Sequence, residues 1–273
     1  MLLKLSNLSL NVEVSKSKSR APRYIFFIHG FTGNAEDWNE IIPSINPNYQ
    51  CVSVDLIGHG KSDSPNEISY YNFSSISKQL KFIIYQFTNE PVAFVGYSMG
   101  GRIALNFAVD NPGQVLSLIL ESSSAGIEDE IQRLQRQNED KSLAAYIENN
   151  TMENFVDYWM NIDLFSSQKL LSKDKLNKIR DNKLKNNKTG LANSLRGFGT
   201  GKMLPLYDKL KEFSQKTLLI TGEKDTKYCN LNLRMSKIIP SSKHIILSNA
   251  GHNTHLEQPD DFIHAINSFL SQF

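Results

Sequence analysis

The residues best suited to chemistry lie in Gly96-Tyr97-Ser98-Met99-Gly100-Gly101, a G-x-S-x-G motif. The apolar run Val92 to Val95 leads into it, and Ile103, Ala104, Phe107 and Ala108 follow at helical spacing. This is the strand-turn-helix setting the motif requires. Such a turn strains the serine backbone and lifts Oγ above the sheet, while the flanking glycines let strand and helix approach closely. A serine hydroxyl needs an imidazole to draw its proton and an acid to orient that imidazole. For the acid, Leu218 to Thr221 leads into Gly222-Glu223-Lys224-Asp225, so Asp225 is expected at a strand end. For the base, the run ending at Leu247 reaches Ala250-Gly251-His252-Asn253-Thr254-His255, and His252, directly after the glycine, is favoured. Glu121 is a rival acid at the end of the preceding run. His255 is a rival base, better suited to beginning the turn or helix beneath the pocket. A Gly/Ser-rich turn without chemistry is the plainer reading of the motif, but it leaves the matching strand-end motifs unexplained.

A serine site of this kind also needs donors for a developing oxyanion. The run Tyr24 to Ile28 ends in His29-Gly30-Phe31-Thr32-Gly33, and the backbone N–H groups of Phe31 and Met99 are the expected pair. His29 is expected to pack within its loop. Asp55 and His59, in the turn Val54 to Ser62, are expected to support theirs. The histidines lack metal-ligand spacing, so no metal is expected, and no cofactor.

These groups require a scaffold of strand ends. Tyr24 to Ile28, Cys51 to Leu56, Val92 to Val95, Val115 to Leu120, Thr217 to Thr221 and His244 to Leu247 are short, nearly unbroken apolar runs, as expected of strands buried on both faces. Helical periodicity between them, as in Phe73, Ile76, Leu80, Ile83, Ile84 and Phe87, implies a parallel doubly wound sheet. Leu8, Leu10, Val12 and Val14 alternate with polar residues, the second arm of an edge hairpin. Residues 122–206 are polar, Lys- and Asn-rich and helical, with no convincing strand, whereas 1–121 and 207–273 keep the strand-helix rhythm. The last helix begins near Pro259 and sets Phe262, Ile263, Ile266 and Phe269 on one face. The order serine, acid, histidine matches the α/β-hydrolase pattern and excludes the chymotrypsin and subtilisin orders. The expected fold is α/β: a mostly parallel doubly wound sheet with an inserted helical lid.

Composition agrees with one soluble globular unit: 40% hydrophobic and 21% charged residues over 273 positions. A net charge of +2 argues neither for nucleic acid nor for a membrane surface. No apolar window is long enough to span a bilayer. The first residues alternate rather than form a continuous apolar run, and Cys51 and Cys229 read as reduced thiols, so a cytoplasmic monomer or homodimer is expected.

Gly-Tyr-Ser-Met-Gly-Gly-Arg, Glu121-Ser-Ser-Ser-Ala-Gly126, Gly-Glu-Lys-Asp-Thr-Lys-Tyr and Ala-Gly-His-Asn-Thr-His resemble the menaquinone-pathway family usually called MenH, the 2-succinyl-6-hydroxy-2,4-cyclohexadiene-1-carboxylate synthases. The resemblance covers nearly the whole chain. It extends to Arg133 and Arg136, Trp159 and Arg180 at family-like spacing, and to the tract Leu191 to Gly201. Ala125 departs from the proline many relatives carry there. The resemblance implies a lyase that eliminates pyruvate from 2-succinyl-5-enolpyruvyl-6-hydroxy-3-cyclohexene-1-carboxylate. It singles out Arg136 and Arg180 as carboxylate ligands from a lysine-rich stretch (Lys173, Lys175, Lys178, Lys183, Lys185) that otherwise reads as a wet helical face. Arg102 is reached independently: four residues after Ser98 on one helix, it projects from the same face and can meet a carboxylate there. Tyr97 and Trp159 are expected to line the pocket for the substrate ring. Two other readings stand beside this one, an ester or carbon-carbon-bond hydrolase using the same triad, and a ligand receptor on a hydrolase scaffold.

Overall fold

The computed structural model describes residues 1–15, 17 and 19–273. Its strands are β1 (Leu2–Leu5), β2 (Leu8–Val14), β3 (Arg23–Ile28), β4 (Tyr49–Val54), β5 (Val92–Tyr97), β6 (Val115–Glu121), β7 (Lys216–Gly222) and β8 (Ser242–Leu247). They form one sheet in the order β1-β2-β4-β3-β5-β6-β7-β8. The first two strands are antiparallel, and every pairing from β4 to β8 is parallel.

The unbroken apolar runs follow from helices on both sheet faces. Along a strand successive side chains point to opposite faces. In β3, Phe26 and Ile28 enter one core while Ile25 and Phe27 enter the other; in β5, Val92 and Phe94 are divided from Ala93 and Val95 in the same way. The first core is closed by α1 (Phe73–Tyr85), α2 (Met99–Asp110) and Met235 of α8 (Thr226–Ile238). The second is closed by Phe262, Ala265, Ile266 and Phe269 of α10 (Pro259–Leu270), which follows the single-turn α9 (Thr254–Glu257).

Three boundaries differ from expectation for local reasons. β8 is an edge strand, so Ile246 is 52% exposed rather than buried. The polar side of β2 is covered: Ser9 N donates to Asp63 Oδ2 (2.7 Å) and Asn11 Nδ2 to Asp55 Oδ2 (2.9 Å), so Ser9 and Asn11 are buried. Helix α1 stops at Tyr85, and Phe87 packs against the core from the loop beyond it.

Between β6 and β7 the chain forms α3 (Glu130–Asn149), α4 (Met152–Met160), α5 (Lys173–Leu184), α6 (Lys188–Phe198) and the short α7 (Tyr207–Leu210), without a strand. Asp129, Thr151, Ser172 and Asn187 cap the first four of these, each side chain accepting from a backbone N–H of the first turn. Helix α6 joins this excursion to the sheet domain: Gly190 and Gly197 lie so close to the backbones of Gly58 and Tyr71 that neither has room for a Cβ. No described helix is long and apolar enough to cross a membrane.

Candidate active site

Ser98 sits between β5 and α2 with φ +50° and ψ −104°, a left-handed strained conformation for a non-glycine residue. The strain is held in place from two sides. Ser98 N donates to Glu121 O on β6 (2.8 Å), and Ser98 O accepts from Arg102 N (3.1 Å) and Ser123 Oγ (3.1 Å). Steric fit allows nothing larger than glycine beside it: a Cβ on Gly96 would lie 2.6 Å from Gly101 Cα, and one on Gly100 2.2 Å from Ile28 O.

Three expected residues converge. His252 Nε2 is 3.0 Å from Ser98 Oγ, and His252 Nδ1 is 2.6 Å from Asp225 Oδ2. Both His252 and Asp225 are buried, whereas Ser98 is partly exposed toward the cavity. Asp225 also caps α8, Oδ1 accepting from Tyr228 N (3.3 Å), so one carboxylate fixes the helix start and the imidazole together. Glu257 steadies the histidine loop by accepting from Gly251 N (2.7 Å).

The two rival residues find each other. Glu121 Oε2 is 2.6 Å from His255 Nδ1, and Glu121 Oε1 accepts from Thr254 Oγ1 (2.7 Å) and His255 N (3.0 Å). His255 stacks on Trp38 with centroids 4.4 Å apart. This second carboxylate-imidazole pair is fully buried and does not touch Ser98. Because Glu121 O receives Ser98 N while its carboxylate holds the Thr254 hydroxyl and the His255 N–H, the residue ties the serine turn to the histidine loop.

The two N–H groups expected as oxyanion donors, Phe31 N and Met99 N, lie where the chain faces Ser98. Among the described residues, neither Phe31 N nor Met99 N donates to a protein acceptor, and both residues line the cavity containing Ser98 and His252. The Phe31 loop is rigid for visible reasons. His29 Nδ1 is 2.7 Å from Gly30 O, and Leu56 N donates to His29 Nε2 (3.1 Å), which assigns the neutral tautomer with hydrogen on Nδ1. Burial lowers the His29 pKa and drives that of His59 well below the ordinary value. Asp55 accepts from Ala35 N (2.5 Å), Asn11 Nδ2 (2.9 Å) and Lys61 N (2.8 Å), the supporting role expected for it.

The cavity at Ser98 has a volume of about 120 Å³. Tyr97, Trp159 and Phe165 supply apolar wall. Its charged lining is cationic throughout, Arg102, Arg136 and Lys227, with no carboxylate among the lining residues. Arg102 is buried, its Nη1 donates only to Phe198 O (3.2 Å), and burial draws its pKa down to about 10, leaving it charged at neutral pH. Arg136 is oriented by Asp140, four residues along α3, through Nε–Oδ1 at 2.8 Å.

Arg180 is not brought into this group. It faces solvent, paired with Asp157 through Nε–Oδ1 (2.7 Å) and Nη2–Oδ2 (3.3 Å), because its place on α5 turns it toward α4 rather than toward Ser98. The cation α5 does send inward is Lys183. Its ammonium is sunk beneath the helix and donates to Thr32 Oγ1 (2.9 Å), and burial lowers its pKa, so it departs from the wet face expected of these lysines. Sequence reasoning also passed over Lys227 and Tyr228. They fall in the first turn of α8, next to Asp225, and Tyr228 lies 4.6 Å from the His252 ring. Burial raises the Tyr228 pKa against the opposing pull of Arg102 and Arg136, so its phenol is protonated at neutral pH.

Comparison with known proteins agrees with this architecture. A family model described as alpha/beta hydrolase fold matches residues 24–259. A Bacillus subtilis (strain 168) protein, named provisionally as a 2-succinyl-6-hydroxy-2,4-cyclohexadiene-1-carboxylate synthase, is 38% identical over 94% of both chains. The synthase of that name from Enterobacter sp. (strain 638) is 29% identical over 92% of both. Among solved structures, MenH from S. aureus superimposes with a TM-score of 0.91 at 33% identity, covering 96% of this chain and 98% of that one. With nearly its whole length matched in sequence and in fold, this chain belongs to the 2-succinyl-6-hydroxy-2,4-cyclohexadiene-1-carboxylate synthase family within the α/β-hydrolase fold.

Proposed function

We propose that the protein is a lyase of menaquinone biosynthesis, eliminating pyruvate from 2-succinyl-5-enolpyruvyl-6-hydroxy-3-cyclohexene-1-carboxylate to give 2-succinyl-6-hydroxy-2,4-cyclohexadiene-1-carboxylate. The observation that carries this reading is the cavity at Ser98, lined by three cations and no acid. Such a lining suits a substrate bearing three carboxylates far better than a neutral ester.

In the proposed mechanism, Ser98 Oγ takes the proton from the ring carbon beside the succinyl ketone while His252 Nε2 takes the hydroxyl proton of Ser98. Asp225 stabilises the resulting imidazolium. The electron pair moves through the ring alkene, and the carbon–oxygen bond to the enolpyruvyl group breaks. The leaving enolate is protonated and becomes pyruvate. Negative charge gathers meanwhile on the ketone oxygen, where Phe31 N and Met99 N are the proposed donors. No covalent bond to Ser98 is required. We place this reaction of a small-molecule substrate in the cytoplasm.

The test is purified protein with the enolpyruvyl substrate, pyruvate and diene being measured together. Equal amounts are expected. Hydrolytic products without pyruvate would replace this reading with a hydrolase, and tight binding without turnover would replace it with a receptor.

A further inference from the structure

The lyase reading leaves a question of fit and of charge. The cavity at Ser98, about 120 Å³, falls below the roughly 300 Å³ at which sites for ligands of this size begin. An arm of the tricarboxylate must therefore extend out of it. Two hollows adjoin. One, of about 350 Å³ under α5, shares only Phe31 and Tyr97 with the cavity, and its lysines (Lys175, Lys178, Lys183 and Lys185) stand among as many acids (Glu36, Asp37, Glu40 and Asp181). The other, of about 520 Å³ between α3 and α8, shares Arg136, Thr200, Lys227 and Tyr228 with it. The route through this second hollow passes between two cations, one on each helix.

Each acid around the second hollow has a partner, although only Glu128 is paired with a cation. Glu128 pairs with Arg234, Asp129 accepts from Gln132 N (2.8 Å), and Glu139 accepts from Gln135 Nε2 (3.1 Å). Arg136 is held by Asp140 but keeps its terminal nitrogens for other partners. Lys227 has no carboxylate within salt-bridge distance among the described residues, and its ammonium lies 5.9 Å from the centre of the Tyr228 ring. With Arg180 committed to Asp157, Lys227 is the third cation available to the cavity.

We propose that Lys227 and Arg136 form the mouth of the active site and bind the substrate carboxylate that protrudes through it, with Lys227 as a specificity-determining residue. The proposal rests on the lyase reading. Lys227 meets a substrate arm remote from the breaking bonds, so it sets affinity and not the chemical step. Its contribution is electrostatic and weakens as salt screens it.

The experiment is steady-state pyruvate release by wild type, Lys227→Ala and Lys227→Arg at low and high ionic strength. Lys227→Ala should raise KM roughly 5- to 20-fold, the range of one partly exposed charge-assisted contact. Its kcat should stay close to wild type, its KM should rise less steeply with salt, and Lys227→Arg should restore KM. A KM unchanged in Lys227→Ala, or a loss confined to kcat, overturns the assignment. Wild-type protein that turns the substrate over without releasing pyruvate overturns the lyase reading itself, a different failure from a Lys227→Ala variant that behaves like an active wild type.

Discussion

At the residue scale, the Ser98-His252-Asp225 hydrogen bonds make one acid-base unit, so removing either end should leave little. Ser98→Ala and His252→Ala are each expected to lower kcat about 10²- to 10⁴-fold with the fold retained, the span typical of a lost proton-transfer group. Circular dichroism beside a pyruvate assay checks both parts, and a folded variant at near-normal rate would reject the triad. The arginines should separate. Arg102→Ala should raise KM for the tricarboxylate strongly and leave a small neutral ester little affected, whereas Arg180→Ala should stay within about twofold on both, since a solvent-facing ion pair contributes little. Equal losses for the two variants would show that Arg180 reaches substrate by moving from the place it occupies beside Asp157. The convergence of Ser98, Asp225 and His252 was legible because each lies in its own motif just beyond a strand end. Arg180 stands apart from Ser98 in the structure, paired with Asp157, because spacing along α5 does not reveal which side of that helix faces Ser98. Lys227 was missed although its motif was recognised, the available signal being its position two residues past Asp225 on the first turn of α8.

At the element scale, Glu121 joins the end of β6 to two active loops, its carbonyl accepting from Ser98 N and its carboxylate holding Thr254 and His255. Glu121→Gln keeps the shape and can keep part of this set, but it replaces one acceptor oxygen with a donor NH₂. We expect kcat to fall by roughly 10-fold with KM unchanged, as when a catalytic group is held less well and substrate contacts are intact. Glu121→Ala, which leaves His255 and Thr254 unpartnered in the core, should lower the melting temperature as well. Unaltered kcat in Glu121→Gln would remove the residue from any positioning role. The parallel strands were readable because burial on both faces leaves continuous apolar runs. The edge strand β8 was read as equally buried because its apolar residues do not disclose that nothing pairs beyond it. The helices between β6 and β7 could be recognised as helices, but their docking, set by contacts such as Gly190 on Gly58, joins residues too distant in sequence for periodicity to show.

At the scale of the whole molecule, the sheet carries serine, acid and histidine on loops at one end, and the helices between β6 and β7 cover them, adding Arg136 to the Arg102 and Lys227 that α2 and α8 supply. Burial of histidines on the neighbouring loops after β3 and β4 makes the fold sensitive to acid. His29 and His59 are held neutral below the ordinary histidine pKa, so the unfolded chain binds the extra protons first. Their contribution is therefore complete above about pH 6.5 and is lost as pH falls toward the depressed folded values. Thermal midpoints should drop between pH 7 and 5, and a profile flat over that interval would contradict the assignment. What Ser98 does during turnover separates the two reactions most directly, since elimination uses it to move a proton and hydrolysis uses it to capture an acyl group. Intact-protein mass, recorded while pyruvate accumulates from the enolpyruvyl substrate, reads that difference. The unmodified mass throughout is the predicted result; an acyl adduct on Ser98, forming and decaying at the rate of turnover, would contradict it.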